Sequence, residues 1–257
     1  MSTLVITTFS EDGYHLYGKK LIETWCRYWP TEGYTLRIYA EHNLHVDDPR
    51  VEIINLNDVS PKLLAFKDSC ETKLSLLEIN KANRKSRNKI LKTMKWCHKV
   101  YAIDHALHSG HKFVIFLDGD TYTKNTVEPG ILESLSTRTL FSVHFEKLQG
   151  MAHYETGLII FNTHHRQSSD LKEHLTSAYD SGEIFELPKS WDGFWFAVLH
   201  SRRGYEVKDL AEGKFRGVFT NPVVSPILVH LAGNDKYEGK GFNTFSGKKN
   251  IPKLIDI

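Results

Sequence analysis

The chain has 257 residues, 40% of them hydrophobic and 12% aromatic, which supplies a real core for one large domain and excludes a disordered chain. Lys and Arg number 33 against 31 Asp and Glu, so any grip on a polyanion has to come from local clustering rather than from the whole molecule. Cys26, Cys70 and Cys97 are an odd, widely spaced set with no metal-ligand spacing. They predict reduced thiols in a cytoplasm-like compartment, and two of them fall in helix-like apolar patterns as small buried hydrophobes. The N-terminus has no basic region or leader-like apolar core, and no stretch of about 18 apolar residues occurs, so neither a signal peptide nor a transmembrane helix is expected.

Leu4–Phe9 reads as a buried strand. Tyr14, Tyr17, Leu21, Trp25 and Tyr28 recur at three- and four-residue spacing, which predicts an amphipathic helix ending near Pro30. Tyr34–Ala40 and Val51–Asn55 read as two more strands, so the chain opens as an α/β sheet. Leu56–Arg87 mixes short helical pieces with polar residues and reads as a mobile or inserted segment. Asn88–Ser109 is a helix with Ile90, Met94, Cys97 and Tyr101 on one stripe. Lys112–Leu117 is the most strand-like run and is expected at the centre of the sheet. Thr139–His144 and Leu158–Phe161 follow as strands, Leu171–Tyr179 and Phe194–His200 as helices, and Ile227–Leu231 as a last buried strand. From Gly233 the chain is rich in Gly, Lys and Asn and poor in periodicity.

The strongest chemical signal is Asp118-Gly119-Asp120, directly behind the Lys112–Leu117 strand. Ligands of open α/β sheets sit at the carboxyl ends of such strands. Gly119 lets the backbone turn so that both acids face one centre. Two hard anionic oxygens suit Mn²⁺ or Mg²⁺, and such an ion can bridge to a diphosphate. Asp-Gly is also ordinary turn chemistry, but the strand in front of it favours the metal reading.

Phe116-Leu117-Asp118-Gly119-Asp120 resembles the DxD motif of nucleotide-sugar glycosyltransferases with the fold usually called GT-A. Two further segments resemble that family in the expected order. His230-Leu-Ala-Gly233-Asn-Asp-Lys236 is similar to the HxxGxxK element of retaining members, such as the glycogenin-like and lipopolysaccharide galactosyltransferases. Glu155-Thr156-Gly157 with Leu158–Asn162 is similar to their small-residue segment beside the donor sugar. Lys95–Val100 also resembles a helix of bacterial and phage members that precedes the DxD strand. After Lys236 the family often has Pro-Trp, where this chain has Tyr237-Glu238.

The resemblance implies an α/β chain folded as a single GT-A, Rossmann-like domain over residues 1–257, with a mixed, mostly parallel sheet flanked by helices. Residues 1–120 would form the nucleotide-binding half, 121–236 the sugar and acceptor half, and 237–257 a basic tail. It implies a donor UDP-sugar and Mn²⁺ or Mg²⁺ held by Asp118, Asp120 and His230, whose neutral imidazole suits Mn²⁺. Lys236 would neutralise the leaving diphosphate, and Gly233 would let the backbone approach it. Thr7, Thr8 and Phe9 would form the pocket for nucleobase and ribose, with Gly119 and Asp118 beside it, and Lys99 would meet the donor. The expected product retains the anomeric configuration.

Glu155 and Asp192 are further candidate catalytic acids. Glu155 precedes a small residue that permits close substrate approach. Asp192 reads first as a helix N-cap and second as a ligand for sugar or acceptor, with Trp191 or Trp195 as an apolar platform. No acid occurs from Asn80 through Ile103, while Lys81, Arg84, Lys85, Arg87, Lys89, Lys92, Lys95 and Lys99 crowd that stretch. This run reads first as a solvated face, and beyond that as an attractor for the donor diphosphate or a grip on a nucleic-acid backbone. With the similarity to phage-type members it suggests hydroxymethylated bases of DNA, 5-hydroxymethylcytosine among them, as acceptor. Saccharides, lipid-linked sugars and protein hydroxyls stay open. Two rivals stand beside this reading. One is a phosphatase of the haloacid dehalogenase type, which places its Asp pair on the first strand. The other is a non-enzymatic nucleic-acid binder, which leaves Asp118, Asp120 and His230 unexplained.

Overall fold

The computed structural model describes residues 2–79, 84–148, 151–213 and 217–231. The described strands are, in chain order, β1 (Thr3–Phe9), β2 (Tyr34–Ala40), β3 (Val51–Asn55), β4 (Phe113–Leu117), β5 (Thr121–Thr123), β6 (Phe141–Leu148), β7 (Met151–Asn162), β8 (Val207–Asp209) and β9 (Leu228–His230), of which the short β5 and β8 are not expected from the sequence. Seven of them make one sheet in the order β3-β2-β1-β4-β7-β6-β8. β1 lies parallel to both β2 and β4, β2 is parallel to β3, and β6 is parallel to β8. β7 runs antiparallel to β4 and β6. The sheet is thus mixed and mostly parallel, as the sequence predicts.

Both faces of the sheet are covered, and the alternation of side chains divides the core in two. Leu4 and Ile6 of β1 and Val114 and Phe116 of β4 join the cluster under the helices Pro61–Ile79, Arg84–Leu107 and Asp192–Arg203. Val5, Phe113, Ile115 and Leu117 point the other way, onto the helix Lys19–Tyr28. All five residues of β4 are buried, which is why that run reads as continuously apolar. The first helix is expected from its spacing, but it starts with a π-helical turn over Tyr14–Gly18. Such turns are frequent at functional sites.

Leu56–Arg87 departs from the expectation of a mobile or inserted segment. Leu56–Val59 and Pro61–Ile79 are helices, and the long helix already starts at Arg84. Leu63, Phe66 and Cys70 carry one buried stripe into the core, where Phe66 meets Tyr101 and Tyr179. Exposed Leu64 and Leu76 on the opposite side blur the helical period in the sequence. The expected last strand forms as β9, which pairs antiparallel with β5 in a separate two-stranded ribbon.

After β3 the chain crosses back over the sheet and enters on the other side of β1 as β4. The crevice outside the carboxyl ends of β1 and β4 is therefore a topological switch point, where open α/β sheets take their ligands.

Candidate metal centre and active site

β4 delivers Asp118-Gly119-Asp120 to that crevice. A tight turn follows: the Thr121 amide donates to the Asp118 carbonyl at 2.9 Å, and the Asp118 amide donates to the Gly157 carbonyl on β7 at 2.9 Å. A side chain at Gly119 would stand 3.0 Å from both the Phe9 and the Tyr17 ring. A larger residue would have to push these rings aside, because the end of β1 and the π-helical turn close over the acidic loop.

The β5–β9 ribbon explains how a distant histidine joins the acids. Thr121 lies opposite His230, and the Leu231 amide donates to the Asp120 carbonyl at 3.0 Å. His230 Nε2 comes to 3.0 Å from Asp120 Oδ1 and 3.8 Å from Asp118 Oδ2. One ligand atom from each of Asp118, Asp120 and His230 lies within 4.8 Å of the others. Two hard carboxylates and an imidazole are a donor set that suits Mn²⁺ or Mg²⁺, so the residues fit the expected ion.

The outer partners of this set are also in place. His230 stacks on Phe219 with ring centroids 4.8 Å apart, and its Nδ1 faces Glu155 Oε1 at 3.9 Å. Glu155 is anchored in turn by the Val218 amide. At 3.9 Å the approach of Glu155 to His230 is an electrostatic contact longer than a hydrogen bond, and it puts a carboxylate behind the far nitrogen, where the outer partner of a ligating histidine stands. Burial favours the neutral ring of His230, but the carboxylates of Asp120, Asp118 and Glu155 outweigh it and raise its pKa. Burial pushes the Glu155 carboxyl up, against the opposing pull of His230.

Lys99 reaches the same site from the Arg84–Leu107 helix. Its ammonium lies 2.7 Å from Asp118 Oδ1, 3.0 Å from Asp192 Oδ2 and 3.1 Å from Thr156 Oγ1. Burial alone favours the neutral amine, yet Asp118 and Asp192 hold it charged and raise its pKa. Asp118 thus divides its oxygens, Oδ1 toward Lys99 and Oδ2 toward His230. Desolvation raises the pKa of Asp118, and Lys99 opposes the rise.

Asp192 is not the helix cap that the sequence first suggests. Trp191 occupies the N-cap position, and Asp192 is the first helical residue. Its carboxylate turns into the site, accepting from Thr156 Oγ1 at 2.5 Å. The next residue explains the close approach: a Cβ on Gly193 would stand 2.1 Å from the Tyr154 carbonyl of β7.

A cavity of about 670 Å³ opens over these groups, lined by Thr8, Phe9, Lys99, Asp118, Gly119, Asp120 and Asp192 among others. Thr7 is fully buried and is not part of the lining. Gly233 and Lys236 lie outside the described residues, as do Lys81 and the 237–257 tail. Sequence reasoning missed Glu41, Tyr17, Trp96 and His98 in the lining, and Thr156 beneath Asp192. Glu41 directly follows β2 and receives His98 Nδ1 at 2.8 Å. Its position one residue past a predicted strand, on the same edge as Asp118, is the signal that could have found it. No described helix is long and apolar enough to cross a membrane.

No protein-family model matches this sequence, and no curated protein matches it either. Solved structures do. Mouse xyloside xylosyltransferase 1 in its apo form superposes with a TM-score of 0.53 at 11% identity, over 82% of this chain and 85% of that one. The apo glycosyltransferase GlyE of Streptococcus pneumoniae TIGR4 gives 0.51 at 12% identity, over 96% of this chain and 57% of that one. At such identities the likeness establishes a shared fold, the GT-A arrangement that the motifs imply.

Proposed function

We propose that this chain is a metal-dependent glycosyltransferase that moves a sugar from a UDP-sugar to an acceptor hydroxyl with retention of configuration. The observation that carries the reading is the convergence of Asp118, Asp120 and His230 on one centre at the switch point, where Asp118 and Asp120 line a cavity bounded by the end of β1. A divalent ion held there supplies Lewis acidity to the departing diphosphate. The chain's own groups supply the rest. Thr8 and Phe9 present a hydroxyl and an aromatic face to nucleobase and ribose. Lys99 keeps a fixed positive charge between Asp118 and Asp192, so the donor enters a site whose electrostatics are set in advance. Asp192 offers a carboxylate to sugar hydroxyls, and Glu155 holds His230. Lys236 is assigned the charge that meets the leaving diphosphate.

In the transfer, the bond from the anomeric carbon to the diphosphate oxygen breaks and a bond to the acceptor oxygen forms. The hydroxyl proton departs with the UDP. Retention removes the need for a strong base on the opposite face of the sugar. The phosphatase reading asks for its acidic pair on the first strand, whereas here the pair follows β4, the fourth strand of the fold.

Calorimetric titration of UDP, with Mn²⁺ and again with EDTA, tests the donor site. Binding is expected only with Mn²⁺, and Asp120→Ala is expected to abolish it. Binding that ignores both the chelator and the substitution would overturn the reading. Retention is tested by the anomeric coupling of the product in an NMR spectrum, where an inverted linkage refutes it.

A further inference from the structure

Glu41 lines the cavity over the acidic loop but is no part of the metal centre. It directly follows β2, which lies on the side of β1 away from β4. Phe9 at the end of β1 pairs with Ala40 at the end of β2, and Thr8 Oγ1 donates to the Tyr39 carbonyl at 3.0 Å, so the two strand ends are level. With neighbouring strands about 4.8 Å apart, Glu41 stands roughly 10 Å along the sheet edge from Asp118. Its carboxylate is held in place. His98 Nδ1 donates to Oε1 at 2.8 Å, and the His98 side chain is only 8% exposed, against 37% for Glu41. Oε2 has no hydrogen-bond or ion-pair partner among the described residues. The bond from His98 keeps the carboxyl below its ordinary range, so the group is an anion that accepts and does not donate. A fixed acceptor with one oxygen to spare suits a ligand that brings an N–H or O–H.

The order of groups along the sheet edge decides which donor it meets. Asp192 stands at β7 through Thr156, Asp118 and Asp120 follow β4, Thr8 and Phe9 end β1, and Glu41 follows β2. A nucleotide sugar carries its parts in the same order: sugar, diphosphate, ribose, base. With the diphosphate at the metal centre and the ribose over the end of β1, the base falls at β2. We infer that Glu41 is a specificity-determining residue for the nucleobase, accepting the N3–H of uracil on its free oxygen. The inference rests on the glycosyltransferase reading and its UDP donor. Uracil flanks that N–H with two carbonyls. Lys67 lines the same cavity and pulls the Glu41 carboxyl down by its charge, and its ammonium, bonded to Asn57 Oδ1 at 3.1 Å, has further protons to give to a carbonyl.

The test is calorimetric titration, in Mn²⁺, of UDP, 3-methyluridine diphosphate and 2′-deoxyuridine diphosphate into the full chain and into Glu41→Ala. The methyl group removes the N3–H, and the deoxy sugar removes a ribose donor instead. The wild type is expected to bind UDP roughly 10- to 100-fold more tightly than the methylated analogue, as loss of a hydrogen bond to a charged group requires. Glu41→Ala is expected to bring those two ligands within about threefold of each other, because the partner of the N–H is gone. The ratio of UDP to the deoxy analogue is expected to be the same in both proteins. A residue that merely shapes the cavity would weaken all three ligands alike, so equal losses overturn the inference. A preference for UDP over the methylated analogue that survives Glu41→Ala overturns it as well. A substitution that shifts the deoxy ratio in place of the methyl ratio assigns Glu41 to the ribose and overturns it too. Absent binding of all three ligands by the wild type falls instead on the donor site itself, so the two failures are told apart.

Discussion

Lys99→Met removes the only cation that bridges Asp118 and Asp192 among the described residues. The lysine side chain is 13% exposed and that of Asp192 only 8%, so Asp192 in particular has little access to water when it is gone, whereas Asp118 is 29% exposed. Breaking a buried ion pair by deleting one partner costs about 3 kcal/mol or more. For a chain of this size that corresponds to a fall in Tm of roughly 6–12 °C. Mn²⁺ can take over as counter-charge to Asp118, but Asp192 keeps no replacement. The variant in EDTA should therefore melt well below the wild type, and Mn²⁺ should raise its Tm by more than it raises that of the wild type. Adding Asp192→Asn to Lys99→Met should recover part of the loss in EDTA. Scanning calorimetry with EDTA and with Mn²⁺ measures all of this. A variant that melts within 2 °C of the wild type in EDTA, a shift of roughly 1 kcal/mol or less, would show that the three charged groups are not coupled as described.

Gly193→Ala places a methyl where the Tyr154 carbonyl stands 2.1 Å away, and overpacking of this kind costs about 3 kcal/mol. A urea midpoint equal to that of the wild type would contradict the packing of the Asp192–Arg203 helix on β7. Glu155→Gln leaves the fold in place but weakens the hold on His230, so Mn²⁺ affinity should fall about 10- to 100-fold. Calorimetric titration of the metal reads this directly, and unchanged affinity rules out the orienting role. Asp48 is hydrogen-bonded by Arg50, which holds its pKa down at about 2. Arg50 also donates to the carbonyls of Cys26, Trp29 and Pro30 at the end of the Lys19–Tyr28 helix. The folded pKa is depressed, so the stability it adds is complete above the unfolded value and is lost as pH falls through about 2. Full linkage gives about 2 kcal/mol, which screening by nearby water trims to about 1 kcal/mol. Urea denaturation of Asp48→Asn should therefore show this deficit at pH 5 and a smaller one at pH 3; an equal deficit at both would refute the ionic origin.

Much of the architecture was legible from local pattern. The alternation and apolar density of Leu4–Phe9 and Lys112–Leu117 mark central strands, because strands covered on both faces leave no polar positions. Asp118 and Asp120 are likewise local: a strand delivers them and the chain turns at once. Where the period is diluted, reading failed. The Leu63, Phe66 and Cys70 stripe is interrupted by exposed leucines, so the sequence there reads only as short helical pieces where one helix, Pro61–Ile79, forms. Asp192 follows the same logic, since a polar residue before an apolar helical run looks like a cap whether or not its carboxylate turns inward.

The sequence by itself determined the long strands of the sheet, where the acidic loop falls, and that a histidine with metal-ligand chemistry follows it at position 230. Only the tertiary structure decided that these meet. The β5–β9 ribbon sets His230 against Asp120, the crossover to β4 opens the crevice beside β1, and the Arg84–Leu107 helix carries Lys99 in between Asp118 and Asp192. None of these distances has a local cause. They follow from strand pairing and helix packing between segments far apart in the chain, and no window of sequence contains both sides of such a contact.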